Sequence, residues 1–349
     1  MSQKAELEMR PMVSVVVCVF NGAKSVRRCL DSLFNLDYEN YEVILINDGS
    51  SDETDRVLQG YRDRVTYVKN EVNLGLAASR NKGVKLSRGE YVAFSDADCV
   101  VDRLWLTELV KCLTENNVQG AGGAIRTPED IGYFARSVGT LHKPSPKLIS
   151  GNEAEVPGGN CIFKKSLLQQ MGGFDETFKE SNADTDFNIR VWSDGTRILY
   201  QPSAVVYHYH RGTFSSFIRW RFINGIGLYR LAQKHRFKAK RLYHMFNLGL
   251  PPLLFIVGGF TLWIEPLFLP VLPVALYLIQ LGRLYIKERG EFRPREICLG
   301  VFLGWLLRLS GSAGFWYAMI TLPRNHRETL MRQDAPADSS ADQPGIALK

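Results

Sequence analysis

The sequence lacks the features of several common protein classes. Its six cysteines form no CxxC pair and no regular framework, so we expect reduced thiols facing the cytosol rather than disulfides or a metal–thiolate site. The first eleven residues contain no apolar stretch, which predicts that no signal peptide exports the soluble part. Neither GxGxxG nor a P-loop follows the predicted strands, which argues against an ordinary dinucleotide or ATP site.

Charge and hydrophobic content narrow the class of partner. The 349 residues are 45% hydrophobic, enough for a large core in one or two domains. A net charge of +7 would fit a nucleic-acid-binding protein, but the basic residues concentrate after residue 210, beside apolar segments. This distribution favours contact with membrane lipids, and we expect no nucleic-acid partner.

In the first hundred residues, apolar, β-branched runs alternate with stretches in which apolar residues recur at helical spacing. Strands are predicted at 13–20, 42–46, 65–68 and 90–96. This alternation predicts an α/β fold with an open, mainly parallel sheet flanked by helices. Three of these strands end in polar residues, each typical of a cap or turn by itself: Phe20-Asn21-Gly22, Asn47-Asp48-Gly49 and Asp96-Ala97-Asp98. Together at one edge of a parallel sheet, they predict a nucleotide crevice.

Asp96 and Asp98 follow an aromatic-rich apolar strand that ends abruptly. Carboxylate oxygens suit Mg²⁺ or Mn²⁺, and an ion held in this way can share its remaining positions with substrate phosphates. Acidic pairs at strand ends are also common turn residues. On local grounds the pair therefore fits either a diphosphate-binding metal site or a turn.

Four motifs, taken in order, resemble the family 2 glycosyltransferases of the GT-A fold. They are Val-Phe-Asn-Gly (19–22), Ile-Asn-Asp-Gly-Ser-Ser-Asp (46–52), Asn-Leu-Gly-Leu-Ala-Ala-Ser-Arg-Asn-Lys-Gly (73–83) and Asp-Ala-Asp (96–98). The resemblance covers about residues 13–235. It implies a base and ribose pocket lined by Phe20, Asn21 and Asp48, with Arg80 close to the nucleotide. It also implies that Asp96 and Asp98 form a DXD motif, which holds Mg²⁺ or Mn²⁺ and contacts a UDP-, GDP- or dTDP-sugar.

A second group of motifs resembles the acceptor side of the same family. A Gly-rich turn lies within 157–165 and leads to a short helix, which is followed by Gly-Gly-Phe-Asp-Glu at 172–176. Gly158 and Gly159 would let the backbone approach the sugar or acceptor closely. A simple hairpin turn explains the two glycines equally well.

Asp184 aligns with the usual catalytic base of the family, although the Glu that normally precedes it is Ala183 here. The chemistry requires a base, because the acceptor hydroxyl loses its proton as it attacks the anomeric carbon. One base opposite the leaving group implies a single displacement with inversion. The structural alternative makes Asp184 a helix-start residue and Asp186 an ion-pair partner of Arg190 at i+4.

A histidine pair follows the base motif. Strand alternation places His208 and His210 on one face. The resemblance implies that a histidine here completes the metal site or contacts the diphosphate, and we assign this role to His208, with an ordinary exposed strand histidine as the alternative. Ser216 occupies the Gln position of the QxxRW motif, which argues against a processive polysaccharide synthase.

The C-terminal third has the hydropathy of a membrane-associated region. Basic and aromatic residues interleave over 219–241, as in an amphipathic helix on an anionic membrane. Segments 245–264 and 266–282 carry no charge, and each is long enough to span a bilayer. The basic residues of 283–295 predict a cytoplasmic loop. The apolar segment 297–323, which an arginine interrupts, is predicted to span the membrane or to form a re-entrant hairpin.

The sequence thus predicts an extension at 1–12, a GT-A domain at 13–235, a membrane-associated helical region at 236–323 and a disordered tail at 324–349. We expect an integral, multi-pass membrane glycosyltransferase whose catalytic domain is cytoplasmic. The anchor predicts a membrane-associated acceptor, either a lipid-linked saccharide or a polyprenyl phosphate, in the synthesis of cell-surface glycans. The alternatives are transfer to a soluble glycan or peptide, and a catalytically silent protein that binds nucleotide sugars.

Overall fold

The computed structural model describes residues 10–142, 148–150, 153–154, 156–179, 181–210, 212–235 and 292–321. The predicted spans at 245–264 and 266–282, the predicted tail and most of the predicted extension lie outside these residues.

Strands and helices alternate through the first part of the chain, as predicted. They are β1 (Val13–Val19), α1 (Val26–Leu33), β2 (Tyr41–Asn47), α2 (Thr54–Leu58), β3 (Thr66–Lys69), α3 (Leu76–Leu86), β4 (Tyr91–Asp96), β5 (Cys99–Val101), α4 (Trp105–Asn116) and β6 (Gly120–Arg126). A 3-10 helix, Gln59–Arg64, extends α2. Helix α1 forms where apolar residues recur at helical spacing, and this spacing buries one face of the helix, which carries Val26, Cys29, Leu30 and Leu33.

The remaining described elements complete the sheet and cover it. They are α5 (Tyr133–His142), β7 (Leu148–Ser150), β8 (Glu153–Ala154), β9 (Asn160–Lys164), α6 (Lys165–Gln170), α7 (Ala183–Ser193), β10 (Ile198–His208), α8 (Phe214–Lys234) and α9 (Pro294–Thr321). All six cysteines are free, in agreement with the prediction that they form no disulfides.

The strands form one sheet in the order β3-β2-β1-β4-β9-β6-β10-β8-β7, with β5 also paired to β10. The half that contains β1 to β4 is parallel, as predicted. The whole sheet is mixed rather than mainly parallel, because β9 runs antiparallel to β4 and β6, and β10 runs antiparallel to β5 and β8. Strand β9 follows the glycine turn that local sequence explained equally well as an acceptor segment or a hairpin.

The sheet is buried on both faces, which explains its nearly continuous apolar strands. Val15 and Val17 of β1 belong to the same buried cluster as Trp105 of α4. Val16 points to the other side and belongs to a cluster with Phe94. Each large side chain buried in this way contributes about 1.5–3 kcal/mol. This two-sided core holds the carboxyl ends of β1, β2 and β4 side by side.

Helix α8 differs from the membrane-surface helix predicted at 219–241. Within the described residues it ends at Lys234, and side chains of its last turns and of the residue that caps it contact the protein. These contacts join Arg230 to the Thr177 carbonyl, Lys234 to Asp175 at 2.7 Å and His235 to Asp186 at 2.8 Å. In this last turn the basic residues therefore bind carboxylates and a carbonyl of the catalytic domain, and the membrane-surface role predicted for 219–241 stays a prediction.

The third apolar segment forms one uninterrupted helix, α9. Its small residues at 311–314 do not break the helix, so the predicted re-entrant hairpin is wrong. The first turn of α9 docks on α5, where the buried Glu296 pairs with Arg136 at 2.9 Å. Across the described ranges, no helix has both the length and the apolar character needed to cross a bilayer.

Candidate active site

Asp96 lies against the backbone of the glycine turn. Strand β9 runs antiparallel to β4, and Ser95 is paired with Asn160. This register brings Gly159 to the end of β4, where a Cβ on Gly159 would lie 2.3 Å from Asp96 Oδ2. Only glycine fits at this position without displacing the carboxylate. The close approach of Gly159 is made with Asp96, and the predicted approach of the two glycines to a sugar or acceptor stays a prediction.

Arg80, on helix α3, binds both Asp96 and the glycine turn at 158–159. Helix α3 lies close to β1 because Gly83 leaves no Cβ, which would be 2.4 Å from Val16 Cγ1. One turn earlier, the buried Arg80 donates to Asp96 Oδ1 and to the Gly158 carbonyl, both at 2.9 Å. Burial alone would lower the pKa of Arg80, but Asp96 and Asp184 raise it, so the guanidinium stays charged. Arg80 thus braces the site from inside, and the predicted closeness of Arg80 to the nucleotide stays a prediction.

Asp184 lies on the other side of the Gly158 peptide. It occupies the first turn of α7, where its Oδ2 accepts a hydrogen bond from Gly158 N at 3.1 Å. A Cβ on Gly158 would lie 2.9 Å from the Cβ of Asp184 and 2.6 Å from Arg80 Nη1. The backbone of Gly158 therefore binds Asp184 through its N–H and Arg80 through its carbonyl. The structure brings Asp96, Arg80 and Asp184 together from three separate segments.

Asp98 and His208 meet because of a second antiparallel pairing. Residues 99–101 of β5 pair with the end of β10, with Cys99 opposite His208. The His208 Nε2 atom lies 3.2 Å from Asp98 Oδ1, and Tyr209 N donates to the Asp98 carbonyl at 2.9 Å. His210 packs against His208, with ring centroids 4.4 Å apart, but its Nε2 lies 3.4 Å from the Thr127 hydroxyl. Of the two histidines, His208 is the one beside the DXD aspartate.

The donor atoms at this corner fit a hard divalent cation. Asp98 and His208 supply an oxygen and a nitrogen, and Cys99 brings its sulfur so that the three ligand atoms lie within 4.8 Å of one another. Burial and the charges of Asp98 and Asp96 raise the pKa of the Cys99 thiol well above its usual range. A protonated thiol is a poor ligand, so the carboxylate and the imidazole are the residues suited to hold Mg²⁺ or Mn²⁺.

Asp96 differs from Asp98 in its surroundings. Burial raises the pKa of Asp96 above its usual value, and the nearby Asp98 acts in the same direction, while Arg80 and His208 oppose them. The side chain of Asp96 is 36% exposed to solvent, so a ligand at the edge of the sheet can contact it.

The predicted base pocket is shaped by loop contacts. Asp48 is buried, and its carboxylate accepts hydrogen bonds from Asn70 Nδ2 at 2.8 Å, Leu74 N at 2.9 Å and Gly75 N at 3.0 Å. Asn21 has a left-handed φ of 50°, and its side-chain oxygen accepts from the backbone after β2. Phe20 is 50% exposed at the same edge. Asp48 and Asn21 therefore hold the pocket loops, and contact of all three residues with a nucleotide stays a prediction.

Sequence reasoning missed Asn160, which supports the glycine turn. Asn160 is fully buried and accepts a hydrogen bond from Trp105 Nε1 at 2.8 Å. Its amide donates to the carbonyls of Ala124 at 2.8 Å and Ala204 at 3.0 Å, so it ties β9 to β6 and β10. The available signal was the position of Asn160 directly before the short apolar run 161–163. A buried amide side chain needs hydrogen-bond partners, so an asparagine at such a position is expected to bind neighbouring backbone or an indole.

The structural alternative proposed for Asp186 is correct. Asp186 is fully buried and pairs with Arg190 at 2.9 Å, one turn along α7, and with Lys234 at 3.2 Å. Arg190 also donates to the carbonyls of Met171 and Gly173, at 2.6 Å and 2.7 Å. A cavity of about 720 Å³ lies beside this network and is lined by residues 171–177 together with Asn81, Lys179, Arg190, Arg230 and Lys234. None of the predicted site residues lines that cavity.

The comparisons with known sequences agree with the motifs. A family model described as glycosyl transferase family 2 matches residues 14–172. A Haemophilus influenzae protein described as an uncharacterized glycosyltransferase is 36% identical over 223 residues, which cover 60% of this chain and 69% of the relative. The pre-mycofactocin glycosyltransferase of Mycobacterium tuberculosis is 30% identical over 239 residues, which cover 66% of this chain and 49% of the relative. The chain spans about half the length of the mycobacterial relative.

A solved structure shares the fold. The mannosyltransferase PcManGT from Pyrobaculum calidifontis, in complex with GDP-Man and Mn²⁺, matches with a TM-score of 0.62 and 19% identity. The match covers 89% of this chain and 88% of that one. At this identity the likeness concerns the fold, and it confirms the predicted α/β domain of GT-A type.

Proposed function

Because this chain belongs to glycosyl transferase family 2, we propose that it transfers a sugar from a nucleotide-sugar donor to a membrane-associated acceptor, with inversion at the anomeric carbon. The observation that carries the proposal is the convergence of Asp96, Arg80 and Asp184 on the Gly158–Gly159 turn, with the pair Asp98 and His208 two residues along from Asp96. This arrangement supports a proposed site in which one corner binds the diphosphate and Asp184 acts as the base.

Asp98 and His208 would hold Mg²⁺ or Mn²⁺ at the diphosphate of a UDP-, GDP- or dTDP-sugar. When bound, such an ion stabilises negative charge on the leaving diphosphate. Asp96, fixed by Arg80 and Gly159, would orient the donor at the same corner. The Mn²⁺ and GDP-Man named for the Pyrobaculum structure are consistent with this assignment.

Asp184 would take the proton of the acceptor hydroxyl as its oxygen attacks the anomeric carbon. Its Oδ2 is oriented by Gly158 N, and its Oδ1 accepts from Thr185 N at 2.9 Å. A single carboxylate in this role leads to one displacement and inverted stereochemistry. Ala183 is buried, so the orienting contacts here come from the backbone rather than from a preceding glutamate.

The acceptor is proposed to be a lipid-linked saccharide or a polyprenyl phosphate in the synthesis of cell-surface glycans. The uncharged segments 245–264 and 266–282 support this, because each has the length and composition of a membrane anchor. The basic residues at 283–295 support a cytoplasmic catalytic domain. Transfer to soluble acceptors alone, measured with washed membranes that contain the protein, would overturn this part of the proposal.

Asp184→Asn tests the catalytic assignment. The donor is first identified by calorimetry with UDP-, GDP- and dTDP-sugars, with and without Mn²⁺. We expect the variant to bind that donor as the wild type does and to lose transfer by about 10²–10⁴-fold, because amides do not accept the proton. Asp194→Asn, at the other end of α7, is the control and should keep full activity. Unchanged transfer in Asp184→Asn would remove this residue from the mechanism.

A further inference from the structure

The cavity of about 720 Å³ beside the pair Asp186 and Arg190 has no part in the proposed transfer reaction. Its walls come from four parts of the fold: the loop 171–179, Asn81 of α3, Arg190 of α7, and Arg230 and Lys234 of α8. Sites for small molecules commonly have volumes of about 300–1,000 Å³. The cavity is therefore large enough for a ligand of its own, and none of the described residues that line it belongs to the proposed donor corner.

The loop that forms one wall of the cavity is held in place by contacts within the protein. Asn81 accepts a hydrogen bond from Phe174 N and donates one to the Phe174 carbonyl, both at 2.8 Å. Gly173 has a left-handed φ of 75°, and a Cβ there would lie 2.5 Å from Asn81 Oδ1. From α7, Arg190 donates to the carbonyls of Met171 and Gly173. A wall fixed in this way needs little ordering when a ligand binds.

The cavity carries a net positive charge. Its charged lining residues are Lys179, Arg190, Arg230, Lys234, Asp175 and Glu176. The fully buried Asp186 adds one carboxylate beneath them, where it pairs with Arg190 at 2.9 Å and with Lys234 at 3.2 Å. Lys234 also pairs with Asp175 at 2.7 Å, and its side chain is only 9% exposed. Four basic side chains therefore face three carboxylates, so the cavity favours an anionic ligand.

Two of the basic side chains lie at the same end of the cavity. Arg230 donates to the Thr177 carbonyl, and Lys179 is two residues farther along the same loop. Phe178, between them, is buried and fixes the backbone there, since its N–H donates to the Asp175 carbonyl at 3.1 Å. An anion at this end would meet a guanidinium and an ammonium group together.

The other lining groups suit sugar hydroxyls better than a nucleotide base. The carboxylate of Glu176 and the hydroxyl of Thr177 can both accept hydrogen bonds from a sugar. Among the described lining residues the one aromatic ring is Phe174, which is 3% exposed and packs edge-on against Phe94. Proteins commonly bind bases by stacking them on accessible rings. The lining therefore favours a sugar over a base.

We propose that this cavity is a second ligand site, separate from the donor site, and that it binds a phosphorylated monosaccharide. The phosphate lies between Arg230 and Lys179, because a guanidinium can form two parallel hydrogen bonds with phosphate oxygens. The hydroxyls of the sugar lie toward Glu176 and Thr177. The site goes beyond the proposed transfer reaction and does not depend on it.

The test measures binding to the full chain in detergent by calorimetry, with glucose 6-phosphate, glucose, inorganic phosphate and AMP as probes. Wild-type protein should bind glucose 6-phosphate at least about 10-fold more tightly than the other three. Arg230→Gln should weaken that binding by about 10- to 100-fold, because it removes a charged hydrogen-bond donor. Lys179→Ala should weaken it by about 2- to 5-fold, because this cation is exposed. Lys85→Ala removes an exposed lysine of α3 outside the cavity and should bind as the wild type does.

A charge reversal keeps the test decisive if Arg230→Gln does not fold, since that variant also loses the bond to the Thr177 carbonyl. Lys179 is exposed, so Lys179→Glu should keep the wild-type Tm and bind glucose 6-phosphate more weakly than Lys179→Ala. Equal binding by Lys179→Glu and wild type would overturn the proposal, as would no binding by the wild type at millimolar concentration.

The remaining outcomes separate this site from others. Equal affinity for inorganic phosphate or for AMP would overturn the assignment to a sugar phosphate. Displacement of glucose 6-phosphate by the nucleotide-sugar donor with Mn²⁺ would also overturn the proposal, because it would place the probe in the donor site. Asp184→Asn should bind glucose 6-phosphate as the wild type does, so a failure of the proposed transfer reaction is distinguishable from a failure of this inference.

Discussion

Replacing Gly159 by alanine tests how closely the glycine turn holds Asp96. The added Cβ would lie 2.3 Å from Asp96 Oδ2 and 2.8 Å from its Cγ, whereas ordinary contact begins at 3.4 Å. Either the Asp96 carboxylate or the glycine turn must therefore move by about 1 Å, the difference between 3.4 Å and 2.3 Å. Asp96 cannot simply rotate away, because its Oδ1 is bound to Arg80 at 2.9 Å and its backbone ends a buried strand.

The expected magnitude follows from that displacement. A shift of about 1 Å in a positioned catalytic group lowers rates by about 100-fold. Overpacking of this kind also costs about 1–3 kcal/mol of folding free energy, which leaves a domain of this size folded. We therefore expect Gly159→Ala to remain folded while losing about two orders of magnitude in kcat/KM.

The assay combines initial rates of sugar transfer, donor calorimetry with Mn²⁺ and thermal unfolding. Gly60→Ala is the matched control, because a Cβ there meets no atom within 4 Å and the residue is not left-handed. That variant should match the wild type in all three measurements. Wild-type rates and donor affinity in Gly159→Ala would refute the reasoning, since they would show that the position of Asp96 does not limit the reaction.

Two further predictions concern carboxylates that hold the site from outside. Burial alone would raise the pKa of Asp186, but the hydrogen bond from His235 and the charges of Arg190 and Lys234 outweigh it, so the pKa lies below its usual value. Asp186→Asn should therefore destabilise the protein at pH 7 by about 3–5 kcal/mol in denaturant unfolding. The gap to wild type should close only as the pH falls below about 4, where the wild-type carboxylate also becomes protonated; a gap that is the same at pH 3 and pH 7 would contradict the charge network. Asp48→Asn should cost about 1–3 kcal/mol, because one amide oxygen cannot serve Leu74 N and Gly75 N as the carboxylate does. Hydrogen exchange at those two amides should accelerate, and unchanged protection would count against this role of Asp48.

The parallel half of the fold was predictable because its signals are local. The strands β1 to β4 were predicted to within one or two residues, since each is an apolar run bounded by polar turn residues. Asp186 and Arg190 were also recognisable as an i+4 pair from spacing alone. The end of the predicted helix at 219–241 shows the limit of a local pattern, because a run of basic residues has the same sequence signature whether lipid or buried carboxylates oppose it.

The sequence by itself determined which residues are available for the proposed chemistry: the carboxylates at and just after the end of β4, a histidine after the base motif, Asp184 and the glycines of the turn. Only the tertiary structure decided which of them meet. Gly159 lies against Asp96, and His208 lies beside Asp98, because β9 and β10 each pair antiparallel with a strand far away in the chain. The physical reason is that the direction and register of such pairings depend on the burial of the whole sheet, whereas a local pattern specifies only that a strand forms.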